Sequence, residues 1–88
     1  MSNNVLELDA FIEENGQRKS LYVVVSAPSQ VEGEVDYVCR VHAPLLFSQD
    51  KRIYGVDPEQ AKSLAIGFVR SLLKDERVID ANGRPLRW

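Results

Sequence analysis

Cysteine and histidine are almost missing from this chain: one of each occurs in 88 residues. A lone cysteine cannot close an intramolecular disulfide, so a small domain stapled by its own disulfides is excluded. Zinc takes three or four protein ligands, and one Cys and one His do not supply them. Glycine is scarce as well. The five glycines are isolated from one another, which excludes a glycine-rich phosphate loop. No apolar run is long enough to span a bilayer. Met1-Ser2-Asn3-Asn4 has no basic residue and leads into Glu7 and Asp9, which is not the pattern of a signal peptide. These absences together predict a cytoplasmic protein with no cofactor, no metal and no membrane contact.

The composition that remains is that of a folded domain. With 44% apolar and 27% charged residues, the chain reads as globular rather than disordered. Its length fits one domain, residues 1–88. A chain this short buries only about 60–65% of its unfolded surface, so the core is thin. The net charge is −2, and an isoelectric point near 5.3 argues against nucleic acid as a partner. Charge is unevenly spread. Residues 1–17 hold Glu7, Asp9, Glu13 and Glu14 with no Lys or Arg, whereas the end of the chain holds Arg70, Lys74, Arg77, Arg84 and Arg87.

The strongest local signal is a helix start. Asp57 is a good N-cap, because its carboxylate can accept from free N–H groups of the first turn. Pro58 follows where a missing N–H costs nothing. Gln60, three residues after the cap, can reach back to the cap's own N–H. Ala61, Leu64, Ala65, Phe68, Val69, Leu72 and Leu73 then recur at i, i+3, i+4 spacing and predict one buried stripe. Gly67, Lys62, Arg70 and Lys74 lie off that stripe. The helix is expected over about Pro58 to Lys74.

The N-terminal half reads as strands. Leu6, Leu8, Ala10 and Ile12 alternate with Glu7, Asp9, Phe11 and Glu13. Asn15-Gly16 is a hairpin signal, since both residues tolerate positive φ, and the turn is expected to extend through Gln17 and Arg18. A second strand spans Ser20 to Ala27. Leu21, Val23, Val25 and Ala27 form one face, and Tyr22 and Val24 make the other face apolar too. Pro28-Ser29-Gln30 opens a loop that closes around Gly33. A third strand covers Val35 to Val41, with Val35, Tyr37, Cys39 and Val41 on one face and Asp36, Val38, Arg40 and His42 on the other. After a bend at Pro44, a fourth strand around Arg52 to Val56 feeds the helix. Val78-Ile79, the turn signal Asn82-Gly83, and Leu86 with Trp88 predict an apolar tail docked on sheet or helix.

Strands followed by a helix give an α+β fold. The expected architecture has two layers: a four-stranded antiparallel sheet in ββββα order, one long C-terminal helix and a docked C-terminal tail. A helix of about 17 residues is about 25 Å long and covers one face of a small sheet. That is the face of Leu8, Val23, Val25 and Tyr37. Tyr22, Val24 and Val38 are left on the other, with Phe11 beside them, and an exposed apolar patch of that kind marks an interface.

The junction Tyr54-Gly55-Val56-Asp57, with Gln60-Ala61 and the apolar helix after it, resembles a family of short bacterial proteins of unknown function. Leu86-Arg87-Trp88 fits the same pattern. The resemblance implies a strand-rich first half and a helix near a Gln-Ala pair, and no assigned activity, so it supplies no catalytic residue.

Residue by residue, chemistry finds little support. Cys39 and His42 are three apart on a strand and point to opposite faces, so they form neither a shared metal site nor a nucleophile pair. Glu7/Asp9 and Glu32/Glu34/Asp36 cluster charge, but a catalytic carboxylate pair needs a cleft that raises one pKa. No catalytic, cofactor or metal residue is assigned, and no enzyme is expected. The reading is a non-enzymatic interaction module, homodimeric through Tyr22, Val24 and Val38, with Asp57 and Gln60 as structural helix caps. The alternatives are an immunity- or antitoxin-like protein that binds a basic partner, and a small-ligand-binding domain with a pocket between helix and sheet lined by Tyr37, Phe68 and Tyr54.

Overall fold

The computed structural model describes residues 3–87. It has six strands and one helix: β1 (Asn4–Glu14), β2 (Gln17–Ser26), β3 (Ser29–Gln30), β4 (Tyr37–His42), β5 (Lys51–Gly55), α1 (Pro58–Leu73) and β6 (Val78–Ile79). The class is α+β, with an antiparallel sheet and one helix. The expected count of four strands and the order ββββα are corrected: the sheet has six strands, and the last follows the helix.

The β1–β2 hairpin forms where its turn chemistry puts it. Asn15 and Gly16 have φ of 53° and 77°, the two positive values that a two-residue type I′ turn requires. Glu14 pairs directly with Gln17, so the turn stops at two residues and does not extend through Arg18. The long hairpin sets the alternation of both strands. Leu8, Ala10, Ile12, Leu21, Val23 and Val25 are buried, and Glu7, Asp9, Tyr22 and Val24 face the other way.

β3 is the continuation of β2 after a bulge. Val25 faces Val41 and Ser29 faces Val38 across β4, so four residue steps on one side match three on the other. Pro28 lies in this gap, where its missing N–H removes no ladder bond. The Ser26 hydroxyl fills the gap by accepting from the Arg40 N–H at 2.8 Å. The stretch expected to be loop therefore stays in the sheet. The chain turns around Gly33 (φ 79°). Val35, expected to begin the third strand on the buried face, is 79% exposed in that turn, and β4 starts only at Tyr37.

β5 pairs with β4 from Val41↔Lys51 to Tyr37↔Gly55. Because β4 meets β2 and β3 along the same stretch, β5 must take its other edge. Across the sheet the order is β5, β4, β2 with β3, β1, β6. Gly55 ends β5 directly beneath the first turn of α1. A Cβ there would overlap the Ala61 backbone nitrogen, so only glycine lets the helix start this close to its own strand.

Asp57 is the N-cap. Its Oδ1 accepts the Gln60 N–H at 2.8 Å. Gln60 Oε1 in turn accepts the N–H of Val56, not of Asp57, so the box closes one residue earlier than expected. Ala61, Ala65, Val69 and Leu73 are buried, and Phe68 and Leu72 pack against the core. Leu64 leaves the expected stripe and is 49% exposed. The buried positions follow a strict four-residue step, which gives a narrower seam than the i+3/i+4 pattern. Ala43, Leu46 and Phe47 from the β4–β5 connection close the same core, with Phe47 against Phe68 at 6.4 Å between rings.

The segment after the helix joins the sheet. Val78 and Ile79 pair with Ile12 and Phe11. The chain then turns at Asp80–Gly83 and returns beside β6, with Ile79 bridged to Pro85 and the Leu86 N–H donating to the Val78 carbonyl at 3.0 Å. Leu86 packs on the core. Trp88, expected to dock with it, lies outside the described residues.

Candidate interaction surface on the open sheet face

Strand alternation divides the sheet into a closed face and an open one. The helix and the Ala43–Phe47 segment share one cluster with Leu8, Val23, Val25, Cys39 and Val41. The opposite parity puts Glu7, Asp9 and Phe11 of β1, Tyr22 and Val24 of β2, Val38, Arg40 and His42 of β4, and Arg52 and Tyr54 of β5 on the open face. Among the described residues, no helix lies on this side. Tyr22 is 44% exposed and Tyr54 49% exposed, while Phe11, Val24 and Val38 are half-buried.

The three expected interface residues are brought onto this one face. Val24 lies beside His42 across β2–β4, and Val38 lies beside Tyr54 across β4–β5. Tyr22 meets the His42 ring edge-on, with centroids 6.3 Å apart and planes at 78°. His42 Nδ1–H donates to Asp50 Oδ1 at 2.7 Å, since an ionised carboxylate only accepts.

The charges on this face are segregated. β1 presents Glu7 and Asp9. Glu7 accepts from Asn4 Nδ2 at 2.7 Å, and Asp9 has no ion pair among the described residues. Two strands away, Arg40 and Arg52 stand directly opposite each other, and among the described residues neither has an ion pair. Like charges in directly opposed positions destabilise a sheet. A shallow open depression of about 430 Å³, lined by Asn4, Ser26, Ser29, Val38 and Arg40 among others, adjoins the basic flank.

The arginine pair is a functional candidate that the sequence reading missed, and Tyr54, expected in a pocket between helix and sheet, stands on the open face instead. Arg40 shares parity with Val38, which is readable from one strand. That Arg52 and Tyr54 join them depends on the β4–β5 register, which no local pattern encodes.

The other candidates are not assembled. Cys39 is fully buried on the closed face while His42 is on the open one, and burial pushes the Cys39 thiol pKa up. Among the described residues, no three His, Cys, Asp or Glu side chains gather as a metal-binding group. Glu32 and Glu34 lie exposed in the β3–β4 turn and not on a strand. The pocket expected from Tyr37, Phe68 and Tyr54 does not form. Tyr37 pairs with Gly55 and Tyr54 with Val38, so the two tyrosines occupy opposite faces of the sheet. Among the described residues, no helix is long and apolar enough to cross a membrane.

Compared with known families, with curated proteins and with solved structures, the chain matches none.

Proposed function

We propose that the protein is a small non-enzymatic interaction module that works as a homodimer through its open sheet face, with Tyr22, Val24 and Val38 in the contact. The observation that supports this reading is the uncovered apolar patch at the centre of the sheet, in a fold whose one described helix is fully used on the other side. The sheet edges do not compete for the role. β5 is a five-residue edge carrying Lys51 and Arg52, the charged kind of edge that resists strand pairing. The opposite edge is occupied by β6 and the segment that folds back on it.

A basic partner, as in an immunity- or antitoxin-like role, suits only the β1 flank; Arg40 and Arg52 on the same face would repel it. Sedimentation equilibrium tests the reading. The apparent mass should rise from 9.9 kDa toward twice that value with concentration, and Tyr22→Lys should hold it at the monomer. A wild-type mass that stays at the monomer throughout would refute the proposal.

A further inference from the structure

Strand register gathers hydrogen-bond donors at one end of the open face. Arg40 and Arg52 are directly opposed across β4–β5, and side chains so placed have Cβ atoms about 5 Å apart. On the other side of Arg40, the Ser26 hydroxyl accepts the Arg40 N–H at 2.8 Å. A hydroxyl has one donor and two acceptor positions, so Ser26 still has its O–H to give. Ser29 lies opposite Val38 on the same face, and its hydroxyl has no partner among the described residues. The bulge between Ser26 and Ser29 interrupts the ladder to β4 here, and the depression of about 430 Å³ lies among Ser26, Ser29, Val38 and Arg40. Bulges recur beside functional sites for this reason: they open the sheet surface locally.

The acidic groups of this face are placed elsewhere. Glu7 is level with Val24 and Asp9 with Tyr22, both on β1. Glu7 accepts from Asn4 and Asp50 from His42. The opposed arginines therefore cost the sheet stability and, among the described residues, find no counter-charge. We propose that Arg40 and Arg52, with the Ser26 and Ser29 hydroxyls, bind a small phosphate monoester whose phosphate rests on the two guanidiniums and whose organic group lies over Val38 and Tyr54. A phosphate monoester carries a charge of about −1.5 to −2, which two arginines match and a single carboxylate does not. The planar guanidinium fork suits the paired oxygens of a phosphate. Tyr54 stands directly opposite Val38 and is 49% exposed, so it offers the ester group an apolar flank.

Charge and size together favour a small ligand. The net charge is −2, and a long polyanion crossing the sheet would meet Glu7 and Asp9 on β1. A single phosphate on the β4–β5 side does not reach them. A volume of about 430 Å³ falls within the range of small-molecule sites, about 300–1,000 Å³. The depression is shallow, so binding is expected to be weak and to fall with salt. This site goes beyond the homodimer reading and does not need it.

The test titrates inorganic phosphate and phenyl phosphate into the full chain and follows backbone amide signals by NMR, in dilute protein so that self-association does not compete. In wild type, both probes should shift Ser26, Ser29, Arg40 and Arg52, a readout that needs no variant to fold. Arg40→Gln/Arg52→Gln should bind at least about tenfold more weakly. Lys62→Gln/Lys74→Gln removes the same charge from the helix and should change binding by less than about twofold. Without ligand, the arginine variant should melt at or above the wild-type temperature, because the repulsion is gone, so its lost binding is not lost folding. Phenyl phosphate should bind wild type at least about threefold more tightly than inorganic phosphate, and Tyr54→Ala should erase that preference. No shifts at these four residues with either probe, or equal binding by the arginine variant, would overturn the site. Equal binding of the two probes by wild type would overturn the place given to the organic group.

Discussion

The two faces of this sheet are built from the same strands and have opposite fates. On β2, Val23 and Val25 are fully buried, while their neighbours Tyr22 and Val24 look out on the open side. The closed face is filled with small and medium apolar side chains, with Tyr37, Phe47 and Phe68 packed at its margin, and among the described residues it holds no buried polar or charged side chain. The open face mixes aromatics, valines and segregated charges. Burial of apolar surface is worth about 25 cal/mol per Å², and in the monomer the closed face collects the larger part of it, with Phe11, Val24 and Val38 half-buried on the open side and Ile79, the pair of Phe11, buried there. The difference teaches that the helix settles which side is core, and that the sequence of the other side is free to serve a partner.

The comparison breaks most severely at Gly55, where the helix comes down onto the closed face. Gly55→Ala should destabilise the protein by about 3 kcal/mol, the upper part of the usual overpacking range, because the added methyl meets the Ala61 backbone and not a flexible side-chain end. Urea unfolding measures it, and a loss below about 0.5 kcal/mol, the scale of an ordinary surface change, would mean that the helix can lift off without penalty.

A paired substitution on β2 sharpens the contrast between the faces. Val23→Ala should cost about 2 kcal/mol for two methyls and the hole they leave. Val24→Ala, one residue away, should cost about 0.5 kcal/mol when measured at low protein concentration. Equal losses would erase the distinction between closed and open face.

The helix cap comes next. Asp57→Ala removes the acceptor for the Gln60 N–H and should cost about 1 kcal/mol. A thermal melt equal to or above that of wild type would overturn the capping role and return Asp57 to the list of functional candidates.

The smallest effect lies at the sheet's outer edge, in the turn after β6. Asp80 Oδ1 accepts from the N–H groups of Arg84 and Asn82 at 3.0 and 2.8 Å. The Arg84 N–H, with help from that of Asn82 and from the Arg84 and Arg18 charges, lowers the Asp80 pKa from its ordinary 3.8. A carboxylate with a lowered folded value adds stability that is complete above the unfolded value and is lost as pH falls through the folded one. The Asn82 and Arg84 amide shifts should therefore titrate with a midpoint below 3.8, and Asp80→Asn should remove the transition. A midpoint at or above that value would show that the turn is open in solution.

Local chemistry made much of this fold legible. Asn15-Gly16, the Asp57-Pro58 start and the alternation of β1 and β2 each depend on neighbours in sequence, and the structure bears them out. β3 and β6 were not legible, because two-residue strands are created by pairing and have no period of their own. Pro28 reads as a breaker from sequence, yet a bulge absorbs it. Leu64 fits the helical period and is exposed, because the helix turns a narrower seam toward the sheet. On the open face, Tyr22, Val24 and Val38 follow from parity within single strands. The meeting of Arg40 with Arg52, and of Val38 with Tyr54, follows only from register.

The most direct test of the account is a concentration series followed by proton and methyl NMR, from the low micromolar to the millimolar range. The account predicts shifts confined to the Val24 and Val38 methyls and the Tyr22 and Tyr54 rings, with Val23, Val25 and Val69 on the closed face unmoved. Shifts confined to the β5 edge or the outer side of the helix, or no shifts at all, would contradict it.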